Sequence, residues 1–216
     1  MKPSEIPNKK LKGWILQGGV IRRYVRENIP KEAVILDIGS GGGHFILSCK
    51  EDGYKNLFAT DLANFLQFPE LKDVVTFKAA NLNSEPLPFG DNTFDLVTSF
   101  HTFEHLENPF YFSREVHRVL KPGGTFILAF PYAWSIQSKI KFLLTNSVFH
   151  YRAANSHINF LIQDVFLKCF DRKKFRMIAT LYGPGKLKLP GITIGLPANK
   201  YFANSVCYIM EKNYDS

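Results

Sequence analysis

Cysteine is scarce in this sequence: three thiols, Cys49, Cys169 and Cys207, in 216 residues. They are odd in number and far apart, so they form neither a disulfide framework nor the close ligand spacing of a metal centre, and no metal is expected. Buried thiols in a reducing compartment fit this usage, and a cytoplasmic location is expected. Long apolar runs are missing too. No uninterrupted stretch approaches the ~20 residues needed to cross a bilayer. The longest candidate, "INFLIQDVFLKCF" (158–170), is broken by Gln163, Asp164 and Lys168 and reads as an amphipathic helix. The first residues lack the basic start, apolar run and small-residue cleavage site of a secretory leader, so none is expected. Internal repeats and low-complexity tracts are absent.

Acidic residues are short in one part of the chain only. Residues 1–138 hold 15 Lys and Arg against 15 Asp and Glu, whereas residues 139–216 hold 12 against 4, so the whole net charge of +8 lies in the C-terminal segment. Such an excess suits an acidic partner or substrate near it: phosphate, nucleic acid or an anionic lipid surface. A solvated basic face explains it equally well. No aromatic-plus-arginine motif supports nucleic acid. With 45% hydrophobic residues over this length the chain can bury a proper core, and a single domain over 1–216 is expected.

What is present alternates between two periodicities. Apolar, β-branched or aromatic runs at "AVILDI" (33–38), "NLFATD" (56–61), "VVTFKA" (74–79), "TFDLVTSF" (93–100) and "GTFILAF" (124–130) predict five strands. Helical patterns fall between them, at "HFILSCKED" up to Gly53 and at "PFYFSREVHRVL" (109–120), with "KPGG" expected to stop the latter and turn the chain into the fifth strand. Strands apolar on both faces that alternate with helices imply a parallel sheet covered on each side. The C-terminal part differs: "KFRMIATLYG" (174–183) and "NSVCYIMEK" (204–212) predict two strands with no helix between them, free to pair antiparallel. Their connection, "PGKLKLPGITIGLPANKYFA", is expected to be an irregular loop. Residues 132–156, with "SIQSKIKFLLT", form an insertion of helical propensity on the carboxyl side of the sheet, where ligands bind in such folds.

The chemistry concentrates in "VILDIGSGGGHFI" (34–46). A strand, a glycine turn and a helix set backbone N–H groups at a helix N-terminus, and Gly39, Gly41 and Gly43 permit unusual φ and close backbone approach. A nucleoside cofactor fits there, but glycines alone do not say which. Asp37, ahead of the glycines, would repel a docked pyrophosphate and suits a ligand with an ammonium or other positive charge.

Together with "FATDLA" (58–63), "LPFGDNTFDLVTSF" (87–100), "HTFEHLENP" (101–109) and "REVHRVLKPGGTFILAFP" (114–131), this stretch resembles the class I methyltransferases that use S-adenosylmethionine, in particular the type 11 small-molecule group. The resemblance is firm over 33–131; over 157–212 it is only a pattern of helix and strands. It implies an α/β, doubly wound, Rossmann-like fold: a mostly parallel seven-stranded sheet with one antiparallel strand near the edge. It implies S-adenosyl-L-methionine as cofactor, with Gly39, Ser40, Gly41 and Gly43 around its methionine part and Asp37 reaching its amino group. Asp61 would accept from both ribose hydroxyls, Leu62 would pack on the adenine, and Phe100 would line the site. Asn81–Leu82 stand where the family carries an Asp and an apolar residue at the adenine; an Asn oxygen can still accept from the exocyclic amine. Structural roles stand beside these: Asp37 as a helix cap, Asp61 as an N-cap of "LANFL", Asn81 as a turn residue, and Glu104 as either a cap or a site residue.

An in-line methyl transfer is helped chiefly by positioning, and a hydroxyl acceptor also needs a base. His101 and His105, after the fourth strand, and His157, ahead of the late helix, are the candidates. His44 and His117 read as structural, and His150 has no assigned role. The acceptor is expected to be a small molecule offering a hydroxyl or carboxyl, with a phosphorylated sugar or glycolipid agreeing with the basic segment. Its determinants are placed in 132–156 and 183–203. RNA is disfavoured, since the Asn/Asp-Pro-Pro-Tyr type motif for exocyclic nitrogens is missing. Two alternatives remain: a nicotinamide-dependent oxidoreductase on a similar fold, and a cofactor-binding subunit without turnover. Oligomeric state is not legible.

Overall fold

The structure, a computed structural model, describes residues 19–151, 154–160, 162–189 and 191–214. The expectation of no leader concerns residues that lie outside the described ones. Seven strands form one sheet: β1 (Val34–Ile38), β2 (Asn56–Asp61), β3 (Val75–Ala79), β4 (Phe94–Phe100), β5 (Leu120–Pro131), β6 (Phe175–Tyr182) and β9 (Ser205–Lys212), in the order β3-β2-β1-β4-β5-β9-β6. All pairings from β3 to β5 are parallel, and β9 runs antiparallel to both β5 and β6. The reversed strand near one edge is the one expected from a chain that joins β6 to β9 without a helix.

Alternation along the strands divides the core in two. Leu36, Ile38, Val97, Phe126 and Leu128 point into one apolar cluster, and Ile35, Leu96, Ile127 and Ala129 into the other. A strand whose neighbouring residues are all buried must be covered on both faces. Helices α1 (Val20–Asn28) and α2 (His44–Glu51) cover one face through Ile21, Val25, Phe45 and Cys49. Helices α3 (Pro109–Val119) and α5 (Gln163–Cys169) cover the other through Phe112, Val116 and Phe166. Helix α4 (Ile136–Thr145) opens with Ser135 as its N-cap, as the helical propensity of the insertion predicts.

Three expectations are corrected. The connection at 184–203 is not irregular: β7 (Gly185–Leu189) and β8 (Ile192–Leu196) form an antiparallel hairpin. Leu189 pairs with Ile192, so the connection is two residues long, with Gly191 at φ 76°. The Gly that looks like a loop residue serves a tight turn. The helix expected over 158–170 begins only at Gln163, because the amides of Ile158 and Asn159 donate to the carbonyl of Glu104 at 2.9 and 3.0 Å and hold that segment out of a helix. Finally, "KPGG" lies within β5 rather than before it. Leu120 already pairs with Phe94, and the register shift between Phe94 and Leu96 absorbs the glycines.

Candidate functional site

The chain winds from β1 outward to β3, then returns to β4 on the other side of β1. The carboxyl ends of β1 and β4 are therefore the point where the strand order reverses, and a crevice opens there in folds of this kind. The glycine turn leaves β1 at this point. Gly39, Gly41 and Gly43 take φ of 70°, 49° and 82°. The amides of Gly39 and Ser40 donate to the Thr60 carbonyl at 2.8 and 3.1 Å, which ties the turn to the end of β2. Gly43 is the N-cap of α2 and brings no side-chain cap, so the first-turn amides are left for another acceptor. A Cβ on Gly39 would lie 1.9 Å from Thr102 Oγ1, and one on Gly43 2.6 Å from Leu66 Cδ2, whereas one on Gly41 would meet nothing within 4 Å. Two glycines are thus required by close packing as well as by φ. The third faces open space.

Two carboxylates flank this turn. Asp37 is 3% exposed, and its Oδ1 accepts a hydrogen bond from Thr98 Oγ1 at 2.7 Å. Burial raises its pKa to about 7; the Thr98 hydroxyl opposes that rise and the charge of Asp61 adds to it. Asp61 ends β2; its Oδ2 accepts from the Gly41 amide at 2.8 Å and its Oδ1 from the Leu62 amide at 2.7 Å. Neither aspartate caps a helix: Asp37 lies within β1, and the segment after Asp61 has no helix to cap. Leu62 is 65% exposed beside it. Phe100 is half-buried against Phe45, ring centroids 5.1 Å apart. The Ser40 hydroxyl oxygen is buried with no partner. Asn81 does serve a turn, its Oδ1 accepting from the Asn83 amide at 3.1 Å, and Leu82 packs against the core.

Beyond β4 the structure brings the three candidate histidines into one neighbourhood. His101 takes φ 56° as the chain leaves the sheet, and its Nδ1 lies 3.1 Å from Glu104 Oε1. Glu104 is 1% exposed, and its Oε2 is buried without a hydrogen-bond partner. His105 Nδ1 lies 2.9 Å from the Ser156 carbonyl and 3.0 Å from the Ser156 hydroxyl. The rings of His105 and His157 meet edge to face at 4.8 Å, and Tyr151 stands 5.7 Å from His157 on its other side. Burial pushes the His157 imidazole below its usual pKa, against the pull of Glu104. The donor atoms of Glu104, His105 and His157 lie within 4.8 Å of one another, and among the described residues this is the set able to hold a metal ion. His117 packs on Phe175, and burial lowers its pKa to about 4; His44 packs on Phe68.

Sequence reasoning left Glu104 unassigned and missed Thr98, Tyr151 and Ser156. Glu104 was signalled by its spacing, three residues after His101. The others come from other strands and from the 148–160 segment, and only tertiary structure brings them in.

Residues 36–128 match the methyltransferase-domain family. The chain is 33% identical over 107 residues to the methyltransferase YcgJ of Bacillus subtilis, covering 46% of this chain and 41% of that protein. It is 32% identical over 92 residues to the zebrafish (Danio rerio) mitochondrial arginine-hydroxylase NDUFAF5, covering 43% and 29%. It is 31% identical over 110 residues to the 2-methyl-6-phytyl-1,4-hydroquinone methyltransferase of Synechocystis, covering 48% and 33%. The chain thus spans less than half the length of these relatives. The crystal structure of YcgJ superposes with a TM-score of 0.64 at 20% identity, covering 92% of this chain and 98% of that one, a likeness of fold.

Proposed function

The chain belongs to the class I S-adenosylmethionine-dependent methyltransferases, and from that premise we propose that it methylates a hydroxyl or carboxyl oxygen of a small acceptor, of the phosphorylated-sugar or glycolipid kind. The observation that carries the reading is a glycine turn with a buried carboxylate on one side, Asp37, and an amide-anchored carboxylate on the other, Asp61.

The residues present fit the cofactor. Gly41 opens onto free space, the Ser40 hydroxyl wants a partner, and Asp37 is a buried carboxyl whose ionised form a ligand ammonium would stabilise. A pyrophosphate would instead face that carboxylate, which argues against a nicotinamide dinucleotide. In this reading Asp37 holds the amino group and Gly39, Ser40, Gly41 and Gly43 surround the methionine part. Asp61, oriented by the Gly41 and Leu62 amides, takes the ribose hydroxyls; Leu62, Asn81, Leu82 and Phe100 border the base and the methyl end. When bound, the cofactor supplies a methyl group already activated on a sulfonium.

The chain's own work is to position the acceptor and take its proton. Glu104 Oε1, 3.1 Å from Nδ1 of His101, orients that imidazole as the base for a hydroxyl proton, while His105 and His157 form the adjoining wall. Acceptor determinants are assigned to 132–156 and 183–203 within a single unit. The phytyl chain in the name of the Synechocystis relative's acceptor supports a lipid-like substrate.

Calorimetric titration with S-adenosylhomocysteine, with NADH in parallel, tests the cofactor site. Saturable micromolar binding of the first alone is expected, weakened about 10- to 100-fold in Asp61→Ala by loss of a charge-assisted bidentate contact. Heat with NADH alone would make the chain a redox enzyme. Binding without turnover on any phosphorylated-sugar or lipid-linked acceptor would make it a non-catalytic subunit. In a turnover assay, His101→Ala should lower kcat by about 10²- to 10⁴-fold with the S-adenosylhomocysteine Kd within about twofold. A chelator should leave the rate unchanged; a rate lost to chelation and restored by a divalent ion would reassign Glu104, His105 and His157 to that ion.

A further inference from the structure

Helix α4 is built inside out. Its one buried residue is Ser138, whereas Ile140 is 52% exposed, Leu143 82% and Leu144 78%. With Ile136, spacings of four, seven and eight residues put these side chains on a single stripe, the pattern that ordinarily faces a core. The stripe continues off the helix. The Ile136 amide donates to the Tyr201 carbonyl at 2.8 Å, and a cleft of about 340 Å³ joins Ile136 and Lys139 to Ile162, Lys200 and Tyr201. An exposed apolar surface of this kind marks a contact site.

The charge around it says what it contacts. The sequence holds no Asp or Glu between Glu115 and Asp164, a span that carries Lys139 and Lys141, and none between Asp171 and Glu211. Apolar side chains within a basic surround are the composition of a helix that lies in the interface of an anionic bilayer. Alongside the helix, Trp134, Phe142, Leu143, Val148 and Phe160 line a groove of about 250 Å³. The groove adjoins the histidine cluster through successive rings: Trp134 on Phe160 at 4.9 Å, Phe160 on Tyr151 at 5.1 Å, and Tyr151 on His157 at 5.7 Å.

We propose that α4 docks the protein on an anionic lipid bilayer and that the groove beside it receives the hydrocarbon chain of a lipid-linked acceptor, whose polar head then faces the histidines. The assignment of the acceptor rests on the methyl-transfer reading above; the docking does not. A lipid-linked acceptor stays in the bilayer while its head group is methylated, so an enzyme that rests on the surface meets it without extracting it.

Co-sedimentation tests the docking, using phosphatidylcholine vesicles with and without about one-third phosphatidylglycerol. Wild-type protein should pellet with the anionic vesicles, less so as salt rises, and little with the neutral ones. Leu143→Asp/Leu144→Asp should lower partitioning at least about tenfold, and Lys139→Glu should lower it on anionic vesicles only. S-adenosylhomocysteine titration of the same preparations separates the two ideas: normal cofactor binding without pelleting overturns the docking alone. A wild-type dimer by light scattering that Leu143→Asp/Leu144→Asp splits, with no pelleting, would instead give the face to a second copy. No pelleting together with a Tm lowered by the double variant would give it to the chain's own residues 1–18. Brominated acyl chains test the groove, read on Trp134 in a Trp14→Phe background. Quenching supports chain entry; pelleting without quenching overturns it.

Discussion

Asp37 sits at the floor of the crevice in a state set by its surroundings. Burial holds its carboxyl at about 7 against an unfolded value of 3.8. Between those values the folded protein keeps a proton that the unfolded chain has lost, so apo stability falls as pH rises from about 4 to 7 and is flat above. At ~1.4 kcal/mol per pH unit the cost reaches about 4 kcal/mol at most. Asp37→Asn escapes it, so the Tm advantage of that variant over wild type should grow between pH 4 and 8. A ligand ammonium reverses the sign. Binding then requires the ionised carboxylate, and affinity for S-adenosylhomocysteine should drop as pH falls below about 7, with proton release visible in buffers of different ionisation enthalpy. A Kd that stays constant from about pH 5.5 to 8.5 would remove Asp37 from the amino-group site. This residue was legible in the sequence because its context is local: a strand, a carboxylate, then glycines. Its neighbour Thr98 was not, since 61 residues separate the two.

At the scale of elements, the glycine turn offers a controlled comparison. Gly39 and Gly53 both have positive φ, 70° and 89°. An added methyl at 39 would strike Thr102, which sits where the chain leaves β4, whereas at 53 it would meet nothing within 4 Å. Gly53→Ala should therefore cost only the left-handed backbone, about 1–2 kcal/mol, and leave cofactor binding intact. Gly39→Ala should cost more, about 2–4 kcal/mol, and abolish binding, because the turn and the segment carrying His101 must separate. Equal losses in urea melts of the two variants would mean that φ alone sets the cost and that the close approach of the two loops does not matter. The elements hardest to read were those held by partners distant in sequence. The segment before α5 stays extended because the Glu104 carbonyl takes its amides, and nothing in "HINFL" announces that. The hairpin β7–β8 was hidden by its own punctuation. Lys and Leu, then Ile and Thr, alternate around a Pro-Gly pair, and a loop rich in those residues reads as irregular unless the alternation on both sides is weighed with them.

Over the whole molecule, the parallel half of the sheet and its antiparallel extension must be joined, and Lys212 makes the join at the end of the sheet opposite the crevice. The residue is 5% exposed, and its ammonium donates to Asn92 Oδ1 at 2.8 Å, to the His117 carbonyl at 2.8 Å and to the Leu120 carbonyl at 2.9 Å. All three protons are used. The last residue of β9 thereby binds the turn before β4, the end of α3 and the start of β5 at once. Desolvation lowers its pKa, yet the three acceptors keep the charge satisfied. Next to it on the same strand, Glu211 pairs with Arg176 on the surface at 2.7 Å. The two neighbours should behave differently. Glu211→Gln removes an exposed pair and should cost less than about 1 kcal/mol. Lys212→Met fills the space but orphans two carbonyls and an amide oxygen, and should cost about 2–4 kcal/mol, a Tm drop of roughly 5–15 °C for a chain of this size. Because the join lies far from the crevice, the S-adenosylhomocysteine Kd of Lys212→Met should stay within about twofold of wild type below its melting range. If Lys212→Met melts within a degree of wild type, the antiparallel strands are held by their ladder and core packing alone. If it binds cofactor poorly while still folded, the two halves of the sheet are coupled across their full height, and the C-terminal segment reaches the crevice through the sheet as well as through the loops above it.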